Sequence, residues 1–396
     1  MSHSAPPSVR RLAARPRPAA TRALVLALLL ASTVRTGWAE VRLEYVAHSC
    51  FVVVSPGGAR ALVDPYNGTR WLGYSFPAPM AADVVLVSHP HYDHDASYYA
   101  GDAPVLRRPG EYAFGDLRIQ GVEGHHASPW GDEFGRTNTL WLVEAGGVRI
   151  AHLGDTGPLG PAALRALGRV DVLILPVDDL EHILKGAEVA AIREVLRPAI
   201  TVPVHYRLAG LTSLPKDLGP VDAWLAGQRN VVRLPGHEAR LDRARMPAEP
   251  QVLVFTPSPA VKPWPPALRE AWEHRHRARA EAATPEGRAL AIAELRQAVT
   301  LAPECMVFAV ELGRLLSDAG RDDEALATLE KALAGAGSDD REYTARARDL
   351  LAGVYVRRGE SARAAQQYRL VLQNEERREL RARAESFLAV RPGGLP

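Results

Sequence analysis

Cysteine is almost missing from this 396-residue chain: there are two, Cys50 and Cys305, far apart in sequence. So few thiols exclude a disulfide-stapled scaffold and a thiolate-rich structural metal site, and both are expected to act as small buried apolar side chains. Acidic residues are absent from the first 39 positions, which hold six arginines (Arg10, Arg11, Arg15, Arg17, Arg22 and Arg35). A bilayer-spanning run is absent there as well, because the apolar stretch Ala23 to Ala31 falls well short of the roughly 20 residues a spanning helix needs. With the small residues Gly37 and Ala39 just before Glu40, residues 1–39 read as a cleaved signal peptide and the mature chain as periplasmic or secreted. Arg10-Arg11 leaves the twin-arginine route open beside the general one. Taking those six charges from a formal +2 leaves −4. That balance argues against a polybasic nucleic-acid or membrane surface.

What the chain does have is Ser88-His89-Pro90-His91-Tyr92-Asp93-His94-Asp95, three imidazoles and two carboxylates directly after the apolar run Val84 to Val87. The run reads as a buried strand and the segment after it as a ligand-rich loop. Imidazole with carboxylate suits Zn²⁺, Mn²⁺ or Fe, whereas an all-oxygen set would suit Mg²⁺ or Ca²⁺. Further strands also end in polar groups: Leu117 to Glu123 before His125-His126, Val148 to Leu153 before Gly154-Asp155-Thr156-Gly157, Asp171 to Val177 before Asp178-Asp179, and Ala199 to Val204 before His205-Tyr206. Groups on strand-end loops over a rigid sheet form a common site architecture. Neighbouring strand residues point to opposite faces, so only one of His125 and His126 is expected inward. Asp178-Asp179 is expected to cap the helix that begins near Ala187.

His89-Pro90-His91-Tyr92-Asp93-His94 resembles the H-x-H-x-D-H motif of the metallo-β-lactamase-fold hydrolases. His48-Ser49-Cys50-Phe51 and Leu62-Val63-Asp64-Pro65 resemble early motifs of a lactonase-like branch. The fold this implies is α+β, a four-layer αββα sandwich. Carried over residue by residue, the resemblance implies that His89, His91 and His126 hold one divalent cation, that Asp93, His94 and His205 hold a second, and that Asp155 bridges them. His126 is preferred to His125 because Gly121, His126 and Gly131 match the family's spacing, although Ala127 stands where the family often has Asp. Asp64 would brace the ligand loop, with a turn cap as the alternative. Asp93 and Asp155 become the catalytic carboxylates. Zn²⁺ is the default for so nitrogen-rich a set, with Mn²⁺ or Fe as alternatives. A water bridging two such cations would serve as the nucleophile. The resemblance therefore points to hydrolysis of a small-molecule lactone, other ester or phosphodiester, with a β-lactam amide as the competing bond.

Residues 40–256 are assigned to this hydrolase domain and the proline-rich stretch 257–267 to a stiff linker. From 268 to 396 the chain turns to Ala, Leu, Arg and Glu at helical spacing and repeats itself. Ala291, Leu295 and Ala298 recur 34 residues on as Ala325, Leu329 and Ala332, the second unit opens with Leu312-Gly313 and Leu316, and a third copy has Leu351-Ala352, Tyr355, Ala364 and Tyr368. The pattern resembles tetratricopeptide repeats, with Gly337 where proline is usual, and such an all-α solenoid offers a surface to a protein partner. The contrasting reading makes the repeats the working part and the hydrolase fold inactive.

Overall fold

The computed structural model describes residues 40–178, 183–212, 218–282, 284, 286–335, 341–374 and 377–390. The expected signal peptide, Asp179 and Gly337 lie outside these residues. Alternation sets the first half of the fold. In β2 (Cys50–Val54), Phe51 and Val53 point into one cluster while Cys50, Val52 and Val54 point into another, so all five are buried. The first sheet runs β13 (Glu238–Leu241), β1 (Val41–Ala47), β2, β3 (Arg60–Val63), β4 (Val84–Leu86) and β5 (Val105–Leu106). The second runs β12 (Val231–Arg233), β14 (Gln251–Val254), β11 (Ile200–Val204), β10 (Val172–Pro176), β9 (Val148–His152), β8 (Thr137–Ala145), β7 (Leu117–His125) and β6 (Gly110–Phe114).

Leu43, Phe51, Val63 and Leu86 of the first sheet meet Ile119, Trp141, Ile150, Ile174 and Val202 of the second in one core between the sheets. Each such aliphatic side chain contributes ~1.5–3 kcal/mol by leaving water. On the outer side of the second sheet, Leu173 and Leu175 pack with Leu167 of α1 (Pro161–Leu167), Ile192 of α2 (Gly186–Leu196) and Leu225 of α3 (Val221–Leu225). β9, β10 and β11 are parallel, so their C-terminal ends open on the same edge. The run Val41 to Val54, which reads as continuous in sequence, is broken at His48-Ser49 into the β1–β2 hairpin.

The second half is all helix: α4 (Pro266–Glu281), α5 (Arg288–Leu301), α6 (Met306–Asp318), α7 (Asp322–Gly335), α8 (Arg341–Arg357), α9 (Ser361–Asn374) and α10 (Arg378–Val390). The recurring small positions Ala291, Ala325 and Ala364 are fully buried, and the recurring large ones, Leu295, Leu329 and Tyr368, fill the space between helices. The proline-rich stretch packs against the first half of the chain. Tyr74 bridges Pro263, Ser75 N donates to Lys262 O at 2.8 Å, and Trp264 is buried with its indole N–H on Gly68 O at 2.6 Å. Trp272 of α4 stacks on Trp264 and donates to Thr69 O at 3.1 Å. Gly68, Thr69, Tyr74 and Ser75 of the hydrolase half thereby hold the proline-rich stretch and α4. No helix among the described residues is long and apolar enough to cross a membrane.

Candidate metal centre

The ligand-rich loop leaves β4 and closes on itself, His94 N and Asp95 N both donating to His91 O. Asp64, at the end of β3, pins it. Its buried carboxylate accepts from Ser88 N at 2.7 Å and Ser88 Oγ at 2.6 Å, and lies 2.8 Å from His94 Nδ1. A carboxylate only accepts, so His94 Nδ1 carries a proton and Nε2 is the nitrogen turned to the site. The brace, not the turn cap, is the role the structure gives Asp64.

His126 follows β7 and is buried, while His125 points to solvent. Gly131 packs on it: a Cβ there would lie 2.4 Å from His126 Cβ. Ala127 N donates to Asp155 O at 3.0 Å and His126 pairs with Thr156, which ties this loop to the one after β9. Gly154 has φ +56°, and a Cβ there would meet Ser88 Oγ at 2.4 Å, so only glycine lets the Asp155 loop approach the ligand loop. His205 follows β11.

Two donor groups result. His89, His91 and His126 converge in one, Asp93, His94 and His205 in the other together with His48, and Asp155 also groups with His89 and His94. Asp155 Oδ2 is 3.2 Å from His205 Nε2, 3.8 Å from His89 Nε2 and 3.9 Å from His126 Nε2, while its Oδ1 is 3.2 Å from His94 Nε2. One carboxylate thus faces both groups. Burial holds His89 well below the ordinary imidazole range, with repulsion between its charged form and those of His94 and His126 adding to the effect, and burial brings His126 down to about 4. Burial would raise Asp155, but His205 and His94 outweigh it and keep the carboxylate ionised. Burial would lower His94 and His205 too, but Asp155 and Asp93 outweigh it and raise both, so a cation would have to displace a proton from these two, whereas His89 and His126 are already neutral beside an ionised Asp155. His89 Nε2 and His126 Nε2 are buried without a hydrogen-bond partner. Two orphaned nitrogens aimed past one carboxylate fit a metal, since leaving such atoms buried and unpaired otherwise costs ~1–3 kcal/mol each.

The sequence pattern of a beta-lactamase superfamily domain matches residues 42–205, and that of a tetratricopeptide repeat matches 306–376. A UPF0173 metal-dependent hydrolase of Opitutus terrae is 30% identical over 202 residues, covering 42% of this chain and 85% of that protein. The chain belongs to the UPF0173 metal-dependent hydrolases. A Thermus thermophilus UPF0173 metal-dependent hydrolase is 28% identical over 190 residues, with 84% of it covered. Among solved structures, an inferred zinc-dependent hydrolase of the metallo-beta-lactamase superfamily from Thermotoga maritima is 29% identical, with a TM-score of 0.44, covering 54% of this chain and 98% of that one.

Further groups of this UPF0173 hydrolase surround the donors. His48 is fully buried with Nε2 at 3.2 Å from Asp93 Oδ2, and burial together with His205 lowers it to about 4. His48, Asp64 and His205 all have left-handed backbone, at φ +57°, +46° and +59°. Non-glycine residues take that conformation at a cost, and here it aims three side chains at one spot. Trp71, half-buried, lies 6.0 Å from the His48 ring and 6.2 Å from that of His205. Glu133 Oε1 stands 3.5 Å from His91 Nε2, and Phe134 lies edge-on to the same ring at 5.1 Å. His152 is a core histidine, its Nε2 2.7 Å from Ser49 O, and Tyr206 is buried packing, its hydroxyl pushed up to about 12 by burial. The helix cap expected of Asp178-Asp179 is not made by Asp178. α2 starts at Gly186, where Lys185 N donates to Glu188 Oε2 at 2.8 Å, too far along the chain for Asp178 to reach as its N-cap.

Proposed function

We propose that this chain is an exported dinuclear hydrolase of a lactone, another carboxylic ester or a phosphodiester. In this reading residues 1–39 are the leader, 40–256 the hydrolase, 257–267 the linker and 268–396 a repeat domain open to a protein partner. The observation that carries it is the pair of buried donor groups facing one shared carboxylate. His89, His91 and His126 would hold one cation, Asp93, His94 and His205 the other, and Asp155 would lie between, with Zn²⁺ as the default ion and Mn²⁺ or Fe as alternatives. Divalent cations at such a site supply Lewis acidity and bring water's pKa toward neutrality.

The chain's own groups do the rest. As the oxygen of water joins the acyl carbon or phosphorus and the ester bond breaks, the leaving oxygen needs a proton. Asp93, whose Oδ2 is steadied by His48, is placed to receive that proton from the attacking water and pass it on. Trp71 offers the substrate a flat apolar wall beside His48 and His205. Support for the ester and phosphodiester classes comes from the motifs around His48 and Asp64.

The test is metal analysis of the purified chain together with a panel of lactone, phosphodiester and β-lactam substrates. Two divalent cations per chain with turnover of an ester, abolished by His91→Ala or Asp155→Ala, is the expected result. A folded protein that takes up no metal would leave the repeats as the working part, and turnover of the β-lactam alone would replace the ester assignment.

A further inference from the structure

One helix of the repeat half reaches the donor loops by two routes. In the first, Glu342 at the start of α8 accepts from Arg70 Nη1 at 2.6 Å, and the buried Arg70 guanidinium lies between the rings of Tyr343 (4.0 Å) and Tyr92 (4.7 Å). Tyr92 sits between His91 and Asp93 in the chain. In the second, Arg377 between α9 and α10 places Nε 3.4 Å from Glu133 Oε2 and Nη2 2.8 Å from Glu342 Oε1, with its guanidinium 5.2 Å over Phe134. Arg346 of α8 stands 4.0 Å from the same Glu133 oxygen and 3.3 Å from Glu342. The other oxygen of Glu133 is the one beside His91 Nε2. Glu133, Arg346 and Arg377 together border a cavity of about 550 Å³ walled mostly by the repeats.

A histidine that binds a metal through one ring nitrogen characteristically gives the other N–H to a carboxylate, which fixes the ring and its tautomer. We infer that the helical repeats position a metal ligand: Arg377 and Arg346 fix the Glu133 carboxylate, and Glu133 holds His91 Nε2 so that Nδ1 is the nitrogen turned to the cation. This rests on the metal-centre reading above and deepens it. The repeats become part of the site's support as well as a surface for partners. Glu133 and Arg377 are positioning residues, because neither need touch the cation or the substrate.

The experiment uses the full chain. Glu133→Ala, Glu133→Gln, Arg377→Ala and His91→Ala are compared with wild type by chelator competition and by the visible absorption of the cobalt-substituted protein, with thermal unfolding of the metal-free forms as the folding check. Glu133→Ala is expected to weaken one of the two cations about 10- to 100-fold and to alter the cobalt bands, while the metal-free form still unfolds cooperatively and only a few degrees below wild type. Arg377→Ala should weaken the same cation to a smaller degree, and Glu133→Gln should fall between wild type and Glu133→Ala. Should Arg377→Ala fail to fold, the two Glu133 variants still decide the matter, since Glu133 is half exposed and its loss leaves no hole. Wild-type affinity and spectrum in both Glu133 variants, with one cation lost in His91→Ala, would overturn the positioning role alone. Both cations retained in His91→Ala would overturn the metal-centre reading beneath it.

Discussion

Asp64 is the residue whose loss should be felt most widely without touching a ligand atom. Its carboxylate meets three donors, Ser88 N, Ser88 Oγ and His94 Nδ1, at 2.6–2.8 Å in a fully buried pocket. Hydrogen bonds to a charged group contribute ~1.5–3 kcal/mol each, but removing the carboxylate also removes the cost of burying it. Asp64→Ala should therefore cost what breaking a buried charged network costs, ~3–5 kcal/mol, which is roughly 10 °C of Tm for a domain of this size. Alanine at φ +46° adds to the loss. Asp64→Asn separates fold from site, because asparagine tolerates the backbone and keeps one acceptor for Ser88. Its amide N–H₂, turned toward His94 Nδ1, would demand the opposite tautomer and put a proton on Nε2. Metal affinity should then fall about 10- to 100-fold while Tm drops by only a few degrees. Thermal unfolding of the metal-free protein and chelator competition read the two quantities separately. Asp64→Asn binding metal as tightly as wild type would refute the claim that this carboxylate sets the His94 tautomer.

Gly131→Ala should push His126 off its position, because the new Cβ would lie 2.4 Å from His126 Cβ; metal content should fall although no ligand is altered, and unchanged content in a folded variant would contradict the packing argument. Trp264→Ala opens a hole between the halves and strips the Gly68 carbonyl of its donor, so unfolding should be easier by ~3–5 kcal/mol in denaturant titration. Burial would raise Glu342, but Arg70, Arg377 and Arg346 outweigh it and hold the carboxyl below its usual range. A lowered folded value means that its stabilisation is complete above the unfolded value near 4.3 and is lost as pH falls through the folded one. The stability gap between wild type and Glu342→Gln should thus be widest near pH 7 and shrink below about pH 4, whereas a gap that grows with acid would reverse the assigned sign.

The donor loop was legible because strand periodicity and ligand chemistry are both local. Val84 to Val87 announces a buried strand, and a crowd of imidazoles right after it has few other uses. Alternation along β7 restricted the choice at His125-His126 to one inward ring, and the glycine spacing makes physical sense now that Gly131 is seen against His126. The β1–β2 turn was hidden because His48-Ser49 carries neither glycine nor proline, and only the tertiary setting holds His48 left-handed. Nothing local in the sequence marks Glu133, Arg346 and Arg377, since their roles depend on elements distant in sequence meeting in space. The proline-rich stretch signalled a stiff spacer, and nothing local told of the two indoles that dock on Gly68 and Thr69.

The left-handed backbone at His48, Asp64 and His205 bears on how related chains should be compared. Such a conformation by itself restricts a position to glycine, asparagine, aspartate and a few others, before any chemistry is asked of the side chain. Invariance at these three sites among homologues would accordingly mix two selective pressures, handedness and function. A homologue carrying glycine at one of them would have kept the shape while discarding the reagent.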